Sequence, residues 1–456
     1  MRVAEVRQLD RSIHAEANTI STDAIINRIR TACAPEVAAK QWPVLTGFPV
    51  STRDVLRLAL ERAFAEGAQG LVVALSHDHY LTISGGVQNC VGVEEVGFRD
   101  KNWCFLHLCP NHPLPILSDE TNTETFRVLA TLNGSTLGVV AIADVMAVIH
   151  EASPPVFERW VVIHHLLGFS PEVVSAFIAA TEATQLYFWT HDLFVHCPSI
   201  HLLRNDASFC GGPPIGSPAC SICHAGATRA THVAALQQFF ALTRPILLSP
   251  SRTILDFWQK LAPFDFANAH VIPPCTYDKA STAARQAEGA PLTVAFLGSS
   301  VFHKGWDVFE ALAKWFYKDP RYRFFRLGYL EADVVGVEQK PVVVTPDDRM
   351  AMARAVREWR IDVVVNWSRC YESFSFTTIE ALAGGAFVAA RQGAGNVFPL
   401  VASIDATRGV AVGTVIELQA MFATGEIIQL ARASPRDTGT LTMGIGAAGF
   451  VLAPEA

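Results

Sequence analysis

The strongest constraint on the fold is an alternation of short apolar runs with longer segments of helical or turn-like sequence. This alternation is typical of parallel β-sheets flanked by helices. The predicted strands of the first half are Leu71–Ser76, Trp103–Leu108, Thr136–Ile142, Val161–Ile163, Tyr187–Thr190 and Ile246–Ser249. Those of the second half are Val294–Gly298, Phe324–Gly328, Pro341–Val344, Val363–Asn366, Phe387–Ala390 and Gly409–Val412. The pattern predicts an α/β protein with two doubly wound, Rossmann-like domains.

The length of 456 residues exceeds what one hydrophobic core usually serves, so we expect two domains of about 200 residues each. A segment rich in Pro, Ala and polar residues lies between the two sets of strands and is interpreted as a linker. The predicted division is an N-terminal extension at 1–50, a first domain at 51–262, the linker at 263–291, a second domain at 292–415, and a C-terminal helix and tail at 416–456.

The composition excludes several classes of protein. The net charge of -7 at pH 7 gives no basic surface for nucleic acid, so we expect no nucleic-acid partner. Charged residues interrupt Met1–Asp10, which predicts no secretion signal and a cytoplasmic protein. The most apolar window, Val128–Ile149, contains Asn133, Gly134 and Asp144, and is interpreted as a buried strand followed by a helix. No basic amphipathic helix stands out, so contact with the inner membrane face is expected to be peripheral at most.

A candidate phosphate-binding loop follows the first strand of the second half. Phe296 to Gly305 reads as a strand, a tight loop containing Gly298, and the start of a helix, a geometry in which free backbone N–H groups face an anion. Lys304 adds a positive charge beside them. Because Gly after a strand and Lys before a helix are common, an ordinary structural loop remains an equal alternative at this point.

Two glutamates frame a second candidate loop, directly after the strand Val363–Asn366. Glu372 lies in the loop and Glu380 lies within a helix that is predicted to begin near Ser375. The amides of that helix N-terminus and both carboxylates are suited to a polyol phosphate. The alternative is that Glu372 only complements the helix dipole and Glu380 is a solvated helix residue.

The wider pattern around these residues resembles a known family. A Glu, seven residues, and a second Glu followed by Ala-Leu-Ala-Gly-Gly-Ala is similar to the donor motif of glycosyltransferase family 4. The resemblance includes the Lys-Gly of Lys304 and Gly305, and the glycine-rich Gly393–Val397 after the next strand. Where many members carry an Arg after the strand glycine, this chain has Ser299 and Ser300.

The resemblance implies a GT-B fold, in which two Rossmann-like domains face a central cleft, and a retaining transfer from a nucleoside diphosphate sugar to a glycan or lipid-linked acceptor. In the donor site it implies that Glu380 holds the ribose, Lys304 the diphosphate and Glu372 the sugar hydroxyls. Backbone near the donor would come from Gly298, Phe374, Ser375, Phe376 and Gly395. No cofactor is required for catalysis, and the pathway expected is cell-surface polysaccharide biosynthesis.

The first half carries weaker matches to the same family. Gly85 and Gly86 follow the first strand and are expected to let backbone approach the donor. His191, in the loop Trp189–Asp192, is the catalytic candidate on this side, with Glu372 and Lys304 opposite. His164 and His165 compete with it, and a histidine satisfied by local backbone bonds is the alternative. A non-catalytic sugar-nucleotide-binding or scaffold subunit with the same fold is the alternative function.

A cysteine cluster lies outside the family pattern. Cys197, Cys210, Cys220 and Cys223 fall in a segment rich in Pro and Gly, and the last two form a Cys-x-x-Cys pair. Four thiolates suffice for a closed tetrahedral zinc site, so a structural zinc is one prediction. Free, reduced thiols are the alternative.

Overall fold

The computed structural model describes residues 45–83, 85–152, 154, 157–282, 289–329, 334–345 and 348–451. Most of the predicted N-terminal extension therefore lies outside the described residues. Within the described chain there are two large sheets, each buried on both faces by apolar side chains. Burial on both faces is expected of strands that read as continuous apolar runs.

The first sheet has eight strands in the order β10-β9-β6-β5-β1-β2-β3-β4. The main strands are β1 (Gly70–Leu75), β2 (Trp103–Pro110), β3 (Arg127–Leu132), β4 (Ser135–Ala141), β5 (Glu158–Ile163), β6 (Gln185–Trp189), β9 (Ile246–Ser249) and β10 (Asn268–Val271). All pairings are parallel except those of β2 with β3 and β3 with β4. A separate short hairpin joins β7 (Leu203–Arg204) to β8 (Ser208–Phe209).

The second sheet has six parallel strands in the order β14-β13-β12-β15-β16-β17. They are β12 (Leu292–Leu297), β13 (Tyr322–Leu327), β14 (Val337–Lys340), β15 (Val363–Asn366), β16 (Phe387–Arg391) and β17 (Gly409–Val412). The order turns back at β12, so the ends of β12 and β15 form the switch point where doubly wound sheets bind ligands.

The helices connect the strands and cover the sheets. In the first half they are α1 (Arg53–Ala65), α2 (Gly86–Arg99), α3 (Ile142–Ala152), α4 (Pro171–Thr181), α5 (Pro218–Ser221), α6 (Gly226–Thr243) and α7 (Arg252–Leu261). In the second half they are α8 (Trp306–Phe316), α9 (Ala351–Glu358), α10 (Phe376–Ala383), α11 (Val397–Asp405), α12 (Val415–Thr424) and α13 (Glu426–Ala433). Side-chain caps set several starts, as at Ser251, whose hydroxyl accepts the N–H of Ile254.

The predicted fold class is confirmed. Both sheets are doubly wound and Rossmann-like, and the cavities described below are lined by residues of both domains, so the two domains face a central cleft in the GT-B arrangement. Side chains near the cleft also join the domains directly. The Ser251 hydroxyl donates to the backbone oxygen of Ser373 at 2.7 Å, and the rings of Phe257 and Tyr371 stack at 4.2 Å.

Two strand predictions need correction. The window Val128–Ile149 is a hairpin followed by a helix, because Asn133 and Gly134 have left-handed φ values of 48° and 79° and reverse the chain between β3 and β4. The strand predicted at Pro341–Val344 lies one segment earlier, at β14. Val337 there is buried, whereas Val343 is 52% exposed; Val342 and Val344 pack partly on the core and line the second cavity described below, so the apolar run is a loop at the cleft and not a strand.

The ends of the second domain carry two strands outside the main sheets. β11 (Cys275–Thr282) pairs antiparallel with β18 (Asp437–Met443), and both lie beyond the predicted strands. The segment predicted as the linker thus contains β10, which joins the first sheet, and β11. After β18 the chain forms a short 3₁₀ helix, Gly446–Phe450, that packs on α2 of the first domain.

None of the helices in the described part of the chain is both long enough and apolar enough to cross a membrane.

Candidate functional site

Two adjoining cavities occupy the cleft beyond the ends of β12 and β15. The first has a volume of about 490 Å³ and the second about 580 Å³. Both are lined by Gly86 of the first domain and by Gly298, Ser299, Phe376 and Thr377 of the second. An elongated ligand is therefore able to lie across both cavities.

Lys304 reaches the first cavity from a tight turn after β12. The turn is a single 3₁₀ turn, Phe302–Lys304, closed by Gly305 with φ of 81°. A Cβ on Gly305 would lie 2.1 Å from the backbone oxygen of Trp367, so only glycine fits where this turn crosses the neighbouring loop. The turn brings Lys304 to the loop that follows β15.

Lys304 and Glu372 form an ion pair at the cavity wall. The Lys304 Nζ donates to Glu372 Oε1 at 2.8 Å, and the Ser368 hydroxyl donates to the same oxygen at 2.6 Å. Burial acts to raise the pKa of the Glu372 carboxyl, but Lys304 and the Ser368 hydroxyl outweigh it and hold that pKa below its usual range. Burial also disfavours the Lys304 ammonium, yet the carboxylate beside it raises the pKa of Lys304. Both groups are charged at neutral pH.

Gly395 fixes the backbone of the Glu372 loop. Glu372 donates its N–H to the oxygen of Ala394 at 3.3 Å and accepts the N–H of Asn396 at 2.8 Å. With φ of 64°, Gly395 lies so close that a Cβ would approach the Glu372 oxygen to 2.4 Å. Gly395 is not among the residues that line either cavity, so the structure places it behind Glu372 rather than at the ligand.

The N-terminus of α10 opens into the cavities. Phe374, Ser375, Phe376 and Thr377 line the first cavity, and the first-turn N–H groups of a helix have no acceptor within the helix. Asn366, at the end of β15, donates to the hydroxyls of Ser375 and Thr378 at 3.1 and 3.0 Å. Those side chains are thus held inward at a helix N-terminus that forms part of the cavity wall, the kind of position where proteins bind anions.

Glu380 lies one turn further along α10, at the wall of the second cavity. Burial raises the pKa of its carboxyl to about 8, and nearby Arg349 only partly opposes this shift. Arg349 also lines this cavity, together with apolar side chains such as Val342, Met352 and Leu441. The predicted alternative, a solvated helix residue, is wrong for Glu380, which is 7% exposed.

Gly85 and Gly86 bring a second helix N-terminus to the cavities, that of α2. Gly85 is the residue before the helix and lines the second cavity, and Gly86 lines both. A Cβ on Gly86 would lie 3.9 Å from the ring of Phe376, so the two domains approach closely at this point. Helix N-termini from both domains therefore face the same space.

His191 lines the first cavity, on the wall opposite the second domain. Its Nε2 lies 3.1 Å from Nδ1 of His164, and its ring lies nearly parallel to that of Trp189 at 5.0 Å. Burial, then the neighbouring His164, lowers the pKa of His191 well below its usual value, so the ring is neutral. The competing His164 and His165 stand behind His191 and Asp192 and do not line the cavity.

Asp192 also lines this cavity and carries a fixed partner. The backbone N–H of Leu167 donates to Nδ1 of His165 at 3.0 Å, so His165 must donate through Nε2, which lies 2.7 Å from the Asp192 carboxyl. Burial alone would raise the pKa of Asp192, but His165 and the Phe194 N–H lower it to about 2. Sequence reasoning missed Asp192 as a wall residue, although it directly follows His191.

Two other basic residues near the predicted phosphate loop add no positive charge to the first cavity. His303 lines the first cavity, but burial and then His201 lower its pKa to about 3, so it adds no positive charge. Arg326 is 1% exposed, donates to Gln339 at 3.2 Å and does not line either cavity. Arg349 was missed because it comes from a loop between elements and carries no motif of its own.

The four cysteines of the predicted zinc site lie between β6 and α6. Cys197 is buried, and Cys210, Cys220 and Cys223 are partly exposed. The Cys220 sulfur accepts a hydrogen bond from the Arg229 guanidinium at 3.2 Å. Across the described residues, no three His, Cys, Asp or Glu side chains are grouped so as to hold a metal ion. The zinc site gains no support here and stays a prediction.

The arrangement is suited to an elongated phosphorylated ligand. One cation and two helix N-termini surround the first cavity and favour negative charge there. The carboxyl of Glu380 and the apolar walls of the second cavity suit a group with hydroxyls and a flat ring. Neutral His191 and ionised Asp192 face the first cavity from the other domain and are both able to accept hydrogen bonds from hydroxyls.

No protein-family model matches the chain, and no curated protein sequence matches it. Among solved structures, the chain is similar to Anabaena HepE in complex with UDP-glucose, at a TM-score of 0.46 and 11% identity over 80% of this chain and 92% of that one. It is similar to the pneumococcal O-GlcNAc transferase GtfA in complex with UDP and GlcNAc, at 0.46 and 10% over 81% and 96%. A trehalose-phosphate synthase from Burkholderia vietnamiensis follows at 0.41 and 12%, over 80% and 94%. At TM-scores below 0.5, the residues of the site and not these neighbours carry a functional inference.

Proposed function

We propose that this chain is a retaining glycosyltransferase that moves a sugar from a nucleoside diphosphate sugar to a glycan or lipid-linked acceptor. The observation that carries the proposal is the Lys304–Glu372 pair at the mouth of α10, facing His191 across one cavity. A bound diphosphate needs positive charge and free N–H groups, and a sugar needs hydrogen-bond acceptors. This cavity offers all of these within one space.

The second cavity suits the nucleoside. The Glu380 carboxyl is positioned to accept hydrogen bonds from ribose hydroxyls, and the apolar wall around Val342 and Leu441 to contact a base. The diphosphate would then lie at Gly298 and Thr377, which both cavities share. The sugar would extend into the first cavity, between Glu372 and His191.

The residues of the site address the main demand of the reaction, which is stabilisation of the departing diphosphate. Negative charge develops on the leaving oxygen, and Lys304 with the α10 amides is preorganised to neutralise it. Glu372 holds the sugar and keeps the Lys304 ammonium in place. No step needs a metal ion. The retaining outcome rests on the resemblance of the Glu372–Glu380 motif to family 4.

A non-catalytic sugar-nucleotide-binding or scaffold subunit is the second candidate. Ser299 favours it, because it lines both cavities where many members of the family carry an Arg. Arg326 does not replace that charge, since it is buried beside Gln339. With one cation fewer, donor binding would survive more readily than transfer.

Thermal-shift titration with a panel of nucleotide sugars tests both candidates, because a ligand of the folded state raises the unfolding midpoint. We expect one nucleotide sugar to raise it and to be consumed in the presence of an acceptor. Binding without hydrolysis or transfer would select the non-catalytic candidate. If no nucleotide, with or without sugar, shifts the midpoint at millimolar concentration, both candidates are wrong.

The setting of the reaction belongs to the same proposal. We place the protein in the cytoplasm, with peripheral contact to the inner membrane face where lipid-linked acceptors are presented, in cell-surface polysaccharide biosynthesis. Fractionation of cells that express the full chain tests the location. A structural zinc held by Cys197, Cys210, Cys220 and Cys223 is one of two alternatives, with free thiols the other. Metal analysis of the purified protein decides between them, since stoichiometric zinc would support the metal site and its absence would select free thiols.

A further inference from the structure

A buried carboxylate stands behind the histidine that faces the first cavity. Glu94 lies on α2, is 1% exposed, and accepts two N–H groups at one oxygen. The indole of Trp189 and the backbone of Ala447 each donate to Oε1 at 2.8 Å. Its other oxygen, Oε2, lies 3.1 Å from Nε2 of His164. The three neighbours of the Glu94 carboxyl are all nitrogen atoms, and we take Glu94 as the carboxylate, which accepts at both oxygens.

The contacts of Glu94 determine which ring nitrogen carries the proton, first in His164 and then in His191. A carboxylate cannot donate, so His164 donates to it through Nε2. With a single proton on its ring, His164 then presents the lone pair of Nδ1 to Nε2 of His191, 3.1 Å away. His191 must donate through that nitrogen. Its remaining nitrogen, Nδ1, is left with a lone pair and has no hydrogen-bond partner among the described residues.

We infer that Glu94 and His164 are positioning residues that hold His191 as a hydrogen-bond acceptor for a hydroxyl of the sugar being transferred. The inference rests on the proposed function for the identity of that ligand, whereas the tautomers follow from the contacts with Glu94 as a carboxylate and a single proton on His164. The rings are held for this task, since His191 lies nearly parallel to both Trp189 and His164.

The assigned proton pattern suits the charge of the reaction. Positive charge develops on the sugar ring during glycosyl transfer. A neutral His191 with its lone pair toward the sugar does not oppose that charge, whereas an imidazolium would. The Glu94 carboxylate adds a negative charge behind the two rings, in an interior where screening by water is weak.

Glu94→Gln gives a sharp test, because it should reverse both tautomers. Trp189 and Ala447 still need an oxygen, so the amide nitrogen of the glutamine must face Nε2 of His164 and donate to it. His164 then carries its proton on Nδ1 and donates to His191, whose proton moves to Nδ1. The nitrogen that faces the cavity would change from acceptor to donor.

Glu95→Gln is the matched control. Glu95 is the next residue of α2, is 5% exposed, and bonds Tyr80 and Arg99 rather than a histidine. The Glu95→Gln variant therefore measures how much stability and activity are lost when a buried glutamate on α2 is neutralised, with the contacts of His164 and His191 unchanged.

The measurement is the protonation of each ring nitrogen by long-range ¹H–¹⁵N NMR on the full chain labelled with ¹⁵N-histidine, with His191→Asn to assign its signals. We expect the wild type and Glu95→Gln to carry the His191 proton on Nε2, and Glu94→Gln to carry it on Nδ1. With the nucleotide sugar found by thermal shift, kcat of Glu94→Gln should fall about 10- to 100-fold with KM changed less than about twofold.

A wild-type His191 protonated on Nδ1 would overturn the inference, and that measurement needs no variant to fold. So would a folded Glu94→Gln that keeps both the wild-type tautomer and the wild-type kcat. If no nucleotide sugar binds, the proposed function fails, while the spectra still decide the tautomers.

Discussion

At the scale of single residues, the site depends on which buried charges have a partner. Glu372 has the ammonium of Lys304 and the hydroxyl of Ser368, and it stays ionised. Glu380 has only the more distant field of Arg349, and burial raises its pKa to about 8. Of these two glutamates, Glu372 is therefore an anion at neutral pH, whereas Glu380 gains and loses its proton near neutral pH.

Lys304→Ala should reduce donor binding or turnover about tenfold or more, because it removes the cation at the proposed diphosphate position and leaves Glu372 without its counter-ion. The measurement is kcat/KM with the nucleotide sugar found by thermal shift. Lys314→Ala is the control, since Lys314 lies on α8, is 53% exposed and pairs with Glu310 on the same helix. Equal activity of the two variants would show that Lys304 does not contribute to donor binding or transfer.

Glu380→Gln should change how stability depends on pH. The pKa of Glu380 is about 8 in the folded chain, against an ordinary value of 4.5, so the folded state binds the proton more tightly. The stability due to this residue is therefore full below about pH 4.5 and is lost as the pH rises through 8. The free energy of unfolding of the wild type, relative to the variant, should fall by about 2 to 4 kcal/mol between these limits. The measurement is urea unfolding at pH 5 and pH 8.5. If wild type and variant differ by the same free energy of unfolding at both pH values, the pKa of Glu380 is not raised.

At the scale of elements, two loops form the cavity wall of the second domain around Glu372. The loop after β15 carries Glu372, and the loop after β16 carries Gly395, and their backbones pair at Glu372 and Gly395. The first also leads into α10, so the position of Glu372 and that of the helix N-terminus are set together. A change in the loop after β16 is therefore expected to displace Glu372, which lies in the loop after β15.

Gly395→Ala tests this coupling. Its Cβ would meet the backbone of Glu372 at 2.4 Å, so the loop must shift, and we expect a loss of about 2 to 3 kcal/mol in stability and at least tenfold in transfer. Gly393→Ala is the matched control, because Gly393 also has a positive φ, of 75°, but has open space around its Cβ. The control should lose only about 1 to 2 kcal/mol and keep its activity. Similar activity in both variants would show that Gly395 does not position Glu372.

At the scale of the whole molecule, the C-terminal segment ties the two domains together. After β18 the chain returns to the first domain, where Ala447 and Ala448 are fully buried and Phe450 stacks on Tyr187 at 5.5 Å. The N–H of Ala447 donates to Glu94. Residues far apart in sequence thus meet at the carboxylate that stands behind His191.

A chain that ends at Gly444 should lose this packing. We expect the free energy of unfolding to fall by about 2 to 3 kcal/mol, and hydrogen exchange to rise in β1 and β6 more than in β12 and β15. A chain that ends at Val451 is the control and should match the full chain in both measurements. Equal protection of the first sheet in the two truncated chains would show that the segment adds nothing to the first domain.

The sequence was most informative where structure is local. Eleven of the twelve predicted strands lie on observed strands, because continuous apolar runs report burial on both faces of a parallel sheet. It failed at β10, β11 and β18, whose residues are largely exposed or polar and form strands only because a partner from elsewhere in the chain pairs with them. The missed strand β3 did carry a signal, the Asn133–Gly134 turn.

The same division holds for the candidate site. By itself, the sequence determined the fold class and the motifs that bring Lys304, Glu372 and Glu380 to strand ends, since spacing along a strand, loop and helix is local information. Only the tertiary structure decided that Lys304 pairs with Glu372, that Gly395 lies behind it, that Arg349 shares a cavity with Glu380, and that Glu94 reaches His191 through His164. Those contacts join residues from different elements, and packing of the whole chain sets them, not the pattern within any one segment.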